Sequence, residues 1–578
     1  MSAEKTLSPS DLRSARWFAS DSMRGFAHRQ RMQQIGARRE DFLGKPLIAI
    51  INTWSDLSTC HSHLPERAAT VARAIIAAGG YPVELPALSL GEIFVKPTTM
   101  LYRNFLAMEV EELLRSHPVD GAVLLGGCDK TTPGLLMGAL SVDLPVIFCP
   151  AGPTLNDRYK GERVGVGTHT RKFWDEYSAG EVAPREWIRL ESRMTRSVGT
   201  CNTMGTASTM TSLADALGFT LPGASSIPAA DSAHVRMAAD CGSRIVAMVW
   251  EDLRPSHIAT ERAFANATSV FMALGGSTNA AIHLIALARR AGVALDLDAL
   301  DAAAGRVPVL ANLFPAGEYL MEDFYYAGGL PSVIRKLGEH FDRSTRTVAG
   351  SDWQTALDEL DPVDEHAVIR TLDAPLTAQP ALAVLRGNLA PSGAVIKPSA
   401  ASPQLLRHRG RALVFDSCAE MNARINDPDL NVDEHTVLVL RNAGPVGAPG
   451  MPEWGGLPIP KKLLARGVRD MVRISDARMS GTHYGTCVLH VAPESAIGGP
   501  LALVQTGDEI ELDVPARRIE LLVSDAELAR RRAAWQAPAP RYTRGYTALY
   551  QQHVGQADTG CDFDFLAAPG DTPEPDIF

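Results

Sequence analysis

Gly121-Ala122-Val123-Leu124-Leu125-Gly126-Gly127-Cys128-Asp129-Lys130-Thr131-Thr132-Pro133-Gly134 decides the fold. Its first five residues are a short apolar run bounded by glycines, which reads as a buried strand ending in a tight turn. A soft metal ligand, a hard one and a lysine then follow consecutively at the strand's carboxyl end. In open α/β sheets ligands collect at that end, and paired glycines let backbone and ligand approach closely. By itself the turn is weak evidence, because a buried cysteine is usually an inert small hydrophobe and an Asp-Lys pair is usually solvated.

Outward from this strand the pattern repeats. Apolar runs at Leu47–Ile51, Pro82–Leu85 and Leu144–Cys149 alternate with helical stretches near Pro65–Ala78 and Met100–Ser116, which predicts βαβ units and a parallel sheet. Helical periodicity returns at Thr206–Leu217 and Ala280–Ala291. Residues 341–380 read as an irregular connector. Beyond them short strand-like runs separated by Gly and Pro (Ala381–Leu385, Ala412–Phe415, Thr436–Leu440, Met471–Ile474, Cys487–Val491, Ile510–Val514, Ile519–Val523) suggest a barrel or sandwich. The fold class is therefore α/β, with a large parallel-sheet domain over 1–380 and a smaller barrel-like domain over 381–578. The Arg-rich residues 1–45 read as solvated helices or an arm on a neighbouring subunit, and the chain after Ala537 as a surface-wrapping extension.

Two further cysteines sit in settings like that of Cys128. Cys60 lies in Asn52-Thr53-Trp54-Ser55-Asp56-Leu57-Ser58-Thr59-Cys60-His61-Ser62-His63, after a strand, and Cys201 in Gly199-Thr200-Cys201-Asn202-Thr203-Met204-Gly205, a Gly-rich helix entry. Three thiolates on an iron–sulfur cluster would leave one iron without a protein ligand, free to act as a Lewis acid. Cys149 and Cys241, in apolar surroundings, read as packing residues, and His283 as a core or surface imidazole.

Length and composition bound the rest. At 578 residues the chain is too long for one core, and 46% hydrophobic with 21% charged residues is ordinary for a globular protein. A net charge of −10 argues against nucleic-acid or anionic-membrane partners and for a small molecule. Eight cysteines are too few for a disulfide-built fold. No apolar signal core or stretch of about 20 apolar residues occurs, so the expectation is a soluble cytoplasmic protein.

The chain resembles the dihydroxy-acid and sugar-acid dehydratase family, which includes the phosphogluconate dehydratases. The segments that carry the resemblance are 126–134, 199–207, Gly275-Gly276-Ser277-Thr278-Asn279-Ala280, Arg386-Gly387-Asn388-Leu389-Ala390-Pro391, Gly444-Pro445 through Met451-Pro452-Glu453, and Ser475-Asp476-Ala477-Arg478-Met479-Ser480-Gly481-Thr482. They run in family order along nearly the whole chain. The resemblance implies that Cys60, Cys128 and Cys201 hold an iron–sulfur cluster, with two irons favoured over four. It implies that Glu92, Asp129 and Glu453 coordinate Mg²⁺, that Lys130 becomes a further ligand if carbamylated, and that Ser480 is the base. Outside the resemblance Glu92 and Glu453 would read as ordinary surface or loop carboxylates, Lys130 as a salt-bridge lysine and Ser480 as a turn serine.

The implied reaction removes the C2 proton and the C3 hydroxide of a 2,3-dihydroxy acid and yields a 2-keto-3-deoxy acid. Thr59-Cys60-His61-Ser62-His63 departs from the Pro-Cys-Asn form of the branched-chain amino-acid enzyme. Two imidazoles there would offer hydrogen bonds to a polyhydroxylated chain, so the expected substrate is a pentonate such as L-arabinonate or D-xylonate. The alternatives are 2,3-dihydroxyisovalerate dehydration, also as a second activity, and, more distantly, a non-catalytic iron–sulfur protein. A sensor needs cysteines but neither a hard-metal site nor a base, so Glu92, Asp129, Lys130 and Ser480 together oppose that last reading. The expected assembly is a homodimer or homotetramer.

Overall fold

The computed structural model describes residues 7–178, 181–363, 365–566 and 573–577. The stretch that opens the sequence reading is a strand, β3 (Gly121–Gly126), at the centre of a four-stranded sheet with β1 (Leu47–Asn52), β2 (Tyr81–Pro86) and β4 (Val146–Pro150). The order is β2-β1-β3-β4, and every pairing is parallel. β1, β3 and β4 are buried along their whole length, as their unbroken apolar runs require. β2 is the half-exposed edge, and its two prolines suit an edge.

Right-handed crossovers put the helix Leu64–Ala77, between β1 and β2, on one face, and the helices Met100–Ser116 and Thr131–Val142 on the other. The winding direction therefore reverses between β1 and β3. In such sheets the crevice outside the strand ends at that reversal is where ligands bind.

A hairpin of β5 (Asp157–Tyr159) and β6 (Glu162–Val164) follows, and then a largely helical region. The second part is an eight-stranded sheet ordered β14-β13-β9-β10-β11-β12-β8-β7. Its strands are β7 (Ala383–Leu385), β8 (Gly393–Ile396), β9 (Arg407–Phe415), β10 (Val437–Leu440), β11 (Arg473–Ser475), β12 (Cys487–Ala492), β13 (Glu509–Asp513) and β14 (Arg518–Leu521). The edges meet just past β7: Arg386 N donates to Arg517 O, and Ile519 N donates to Arg386 O, each at 2.9 Å. The sheet thus closes into a barrel around a core that includes Leu385, Ile396, Val439, Ile474 and Ile519. β8, only four residues between a Ser-Gly turn and a lysine, is absent from the sequence reading.

Three segments differ from expectation. The N-terminal helices are not simply solvated: Leu12, Trp17, Phe18 and Phe42 are buried in the main core. The connector contains the helix Trp353–Glu359, whose Trp353 is fully buried. The C-terminal extension does more than wrap the surface. Tyr550, Cys561 and Phe563 pack with Met100, Leu101 and Ile282 of the first part, and the buried Arg103 donates to Gly560 O and Cys561 O at 2.9 and 2.8 Å. Cys149 and Cys241 are buried against the Met237 sulfur, and His283 is buried 3.0 Å from Arg103 Nη1.

Candidate active site

The loops that follow β1, β2, β3 and β4 all reach the carboxyl end of the parallel sheet, and each brings candidate residues. Cys60 follows β1, Glu92 follows β2, and Cys128, Asp129 and Lys130 follow β3 directly. The Cys201 segment is stitched to the exit of β4: Thr200 N donates to Gly152 O and Thr154 N to Thr200 O, each at 2.9 Å.

The turn after β3 is tightly constrained. A methyl group on Gly127 would stand 2.7 Å from Ala151 Cβ, so a side chain there forces the backbone apart, and one on Gly126 would stand 2.6 Å from a Leu135 methyl that would have to shift. Cys128 adopts φ = 69°, a left-handed conformation uncommon for a side-chain-bearing residue and held here by the surrounding packing.

The three cysteines interact. A hydrogen bond with Cys128, then burial, then the neighbouring Cys128, Cys201 and Asp129 push the Cys60 thiol well above its ordinary range. Burial, followed by Asp129 and Cys128, pushes the Cys201 thiol up as well. A buried thiol beside other acidic groups, as Cys60 and Cys201 are, ionises more readily when a cation is bound to it.

Lys130 Nζ, fully buried, lies 3.1 Å from Asp129 Oδ2, 3.2 Å from Glu92 Oε2 and 3.4 Å from Glu453 Oε1. Burial and Arg478 oppose its charge, yet the three carboxylates outweigh them and hold the ammonium above its ordinary pKa. Burial raises Asp129, assisted by Glu92 and Glu453, whereas in Glu453 the pull of Lys130 and Arg478 overcomes burial and lowers it. Three carboxylates thus face two buried cations. Among the described residues no three His, Cys, Asp or Glu side chains form a ready single-ion cage, because the carboxylates are arrayed around the lysine.

Glu453 arrives from the barrel side on a loop tied to the Ser480 turn by Gly455 N donating to Arg478 O at 2.8 Å. Ser480 lies past β11, half-buried, with its Oγ 3.0 Å from Thr482 Oγ1. Asn279 joins these parts: its Nδ2 donates to Glu453 Oε1 at 3.0 Å, Met479 O at 3.1 Å and Thr206 Oγ1 at 3.1 Å. The β3 turn, the Glu92 and Glu453 carboxylates and the Ser480 turn therefore form one constellation between sheet and barrel.

Over residues 45–356 the chain matches the family description Dihydroxy-acid/6-phosphogluconate dehydratase N-terminal, and over 367–561 the corresponding C-terminal description. The chain belongs to the dihydroxy-acid/6-phosphogluconate dehydratase family. Among its relatives, the 6-deoxy-6-sulfo-D-gluconate dehydratase of Pseudomonas putida is 62% identical over 578 residues, all of both chains. The L-arabinonate dehydratase of Rhizobium leguminosarum bv. trifolii is 52% identical over 562 residues, 96% of each chain. The dihydroxy-acid dehydratase of Thermodesulfovibrio yellowstonii is more distant, 37% identical over 525 residues, 90% of this chain and 94% of its own.

Within this dehydratase-family site two expectations change. Neither imidazole stands fully free: both ring nitrogens of His61 and one of His63 are engaged with the backbone. His61 is fully buried, with Nδ1 3.0 Å from Thr53 O and Nε2 3.0 Å from Gly127 O, so it fastens the loop after β1 to the turn after β3. His63 Nε2 lies 2.8 Å from Ala151 O, and burial depresses its pKa to about 4. Arg478, Asn279, Thr98 and Thr99 carry no role that local sequence marks. Arg478 is fully buried and donates to Met451 O at 2.8 Å, Glu453 Oε1 at 3.1 Å and Thr98 Oγ1 at 3.1 Å. Thr99 donates to Glu92 Oε2. Arg478 and Asn279 lie inside quoted motifs, so their positions were visible and only their partners were not.

Proposed function

We propose that the chain dehydrates a sugar acid to its 2-keto-3-deoxy acid. The observation that carries this reading is the convergence of three carboxylates from three separate loops on buried Lys130, beside three mutually interacting thiols. A polyhydroxy acid offers matching functions: a carboxylate and C2 hydroxyl for a hard cation, and a C3 hydroxyl for a Lewis acid.

Glu92, Asp129 and Glu453 would hold Mg²⁺, and their oxygen donors fit it. Cys60, Cys128 and Cys201 would hold the iron–sulfur cluster, with two irons favoured. When bound, the two groups supply positive charge at the carboxylate end and Lewis acidity at the C3 hydroxyl. Lys130 reacts with carbon dioxide only as the free amine, which its carboxylate partners suppress. Carbamylation of Lys130 is therefore coupled to cation binding, which draws those carboxylates away.

Ser480 takes the C2 proton. A serine hydroxyl serves as a base only where its pKa is strongly lowered, and Arg478, two residues earlier, adds fixed positive charge to the same turn. His61 does not compete for this role, since both its ring nitrogens are engaged with the backbone.

The higher identity to the 6-deoxy-6-sulfo-D-gluconate and L-arabinonate dehydratases than to the dihydroxy-acid dehydratases supports a sugar acid, such as 6-deoxy-6-sulfo-D-gluconate or a pentonate (L-arabinonate or D-xylonate), over 2,3-dihydroxyisovalerate. We take residues 1–380 and 381–578 as the two domains, with the C-terminal segment crossing back to the first. A homodimer or homotetramer is supported by exposed Met23, Phe26 and Ile35 near the N-terminus and by exposed Leu57, Ile93 and Phe94 beside the site loops. We take the enzyme as cytoplasmic; separately, among the described residues no helix is long and apolar enough to cross a membrane.

The test is 2-keto acid formation by anaerobically purified protein supplied with Mg²⁺ and each of these acids. Turnover of at least one sugar acid well above dihydroxyisovalerate is expected, and turnover of dihydroxyisovalerate alone would reverse the assignment.

A further inference from the structure

Beside the Ser480 turn lies a cavity of about 470 Å³ whose walls include Arg158, Arg163, Lys172, Phe314 and Tyr484. It is joined to the candidate site at three points. Tyr484 is four residues past Ser480. Phe314 O accepts from Met204 N at 2.8 Å, on the segment that carries Cys201. Gly167 packs so closely on Thr482 that a methyl group there would stand 3.0 Å from Thr482 Cγ2, and Thr482 Oγ1 is 3.0 Å from Ser480 Oγ.

The cavity is locally cationic in a chain of net charge −10. Its lining has three cations and two carboxylates, Glu162 and Glu318, an excess of one positive charge. His169, also in the wall, stays neutral because burial and then Lys172 lower its pKa. No ion pair engages Arg158 among the described residues. Lys172 meets Glu162 at 3.4 Å with both side chains half or more exposed, and Arg163 meets Asp323 at 3.4 Å while stacking over Tyr319. The Lys172–Glu162 pair, long and solvated, is weak and exchanges readily for a better anion.

We propose that Arg158, assisted by Lys172 and Arg163, receives an anionic group at the end of the substrate remote from C2, a terminal sulfonate or phosphate on a six-carbon sugar acid. This rests on the sugar-acid reading above. A guanidinium binds such a tetrahedral anion through paired N–H donors, which a neutral terminal hydroxyl cannot match. The contact lies away from the reacting carbons, so it acts mainly on substrate capture.

The experiment compares kcat/KM for 6-deoxy-6-sulfo-D-gluconate, 6-phospho-D-gluconate and D-gluconate in the holoenzyme, its Arg158→Gln variant and its Arg158→Lys variant. The wild type is expected to favour an anion-ended acid over gluconate by at least about tenfold. Arg158→Gln is expected to lower kcat/KM for that acid by about 10- to 100-fold, mostly through KM, with a far smaller loss on gluconate. Arg158→Lys restores part of the difference. The ratio of the two anion-ended acids tells sulfonate from phosphate. Equal rates on all three acids, equal losses in Arg158→Gln, or turnover of pentonates alone would overturn the anion site and leave the dehydratase reading standing. Turnover of no sugar acid would overturn that reading itself.

Discussion

Arg478 Nη1 lies 3.1 Å from Glu453 Oε1, the same oxygen that lies 3.4 Å from Lys130 Nζ and 3.0 Å from Asn279 Nδ2. One carboxylate oxygen of the barrel side is thus held by a barrel arginine, by the lysine of the sheet turn and by a helix-initiating asparagine. Arg478 also reaches Thr98, whose hydroxyl lies 3.5 Å from Glu92, so it links two of the three carboxylates around Lys130.

Arg478→Met should therefore cost more than a surface charge would. It takes one of two buried cations from the three carboxylates and the Arg478 donor from Met451 O, a loss of roughly 3–5 kcal/mol. Arg478→Lys keeps the charge but cannot span Met451, Glu453 and Thr98 together. The expected outcome for Arg478→Lys is a folded protein that needs at least about tenfold more Mg²⁺ for half-maximal turnover. An unchanged Mg²⁺ dependence would mean that Arg478 does not set Glu453.

Removal of metals should separate the two cofactors. Protein purified anaerobically should be brown and contain iron and acid-labile sulfide, and Cys128→Ser should bleach it. Chelation of Mg²⁺ should abolish turnover while the colour persists, because the carboxylate set and the thiol set are distinct. Iron per chain near two or near four decides the nuclearity. A colourless protein after iron and sulfide reconstitution would remove the cluster from the proposal.

Ser480→Ala should preserve fold and colour yet lower kcat by about 10²–10⁴-fold, with KM changed much less. Exchange of the C2 hydrogen with deuterated water should fall in parallel with keto-acid formation. A loss of only a fewfold would reduce Ser480 to a turn residue.

Buried neutral imidazoles should make the protein sensitive to acid. Burial lowers His490 and His234 to about 3 and His63 to about 4. In each case the unfolded chain takes up a proton below about pH 6.5 while the folded one does not, so stability is retained above that pH and lost as pH falls towards 4. Asp215 and Glu494, raised to about 7 by burial, act oppositely and favour the folded state at low pH. His490 sits at φ = 57°, a conformation that asparagine accepts. His490→Asn should therefore flatten the stability loss between pH 6.5 and 4 by about 2–3 kcal/mol in denaturant unfolding. An unaltered pH slope would show that His490 is not among the groups responsible.

Barrel closure can be tested at one residue. Gly387 has φ = 152°, and a methyl group there would stand 2.0 Å from Ile519 O, at the seam where Arg386 meets β14. Gly387→Ala should destabilise the protein by at least about 2 kcal/mol in denaturant unfolding. A change below about 0.5 kcal/mol would show that the seam tolerates opening.

By itself the sequence determined much of the framework. The apolar runs of β1, β3 and β4 are unbroken because both faces of a parallel sheet are covered, and the helix Met100–Ser116 follows from its own periodicity. The motifs around Cys128, Glu453 and Ser480 were legible through their resemblance to the dehydratase family, since by themselves Glu453 reads as a loop carboxylate and Ser480 as a turn serine. Only the tertiary structure decided which of these residues meet and what the neighbours of each one are. Lys130 and Glu453 are 323 positions apart, and no local pattern encodes a contact closed by the docking of barrel on sheet. The same limit explains His61: a sequence shows an imidazole's hydrogen-bonding capacity, whereas burial and the backbone groups within reach decide whether that capacity remains for a ligand. It also explains the C-terminal segment, polar enough to read as a surface wrap, whose Tyr550 and Phe563 find an apolar seat among Met100, Leu101, Ile282 and Met451, all distant in sequence.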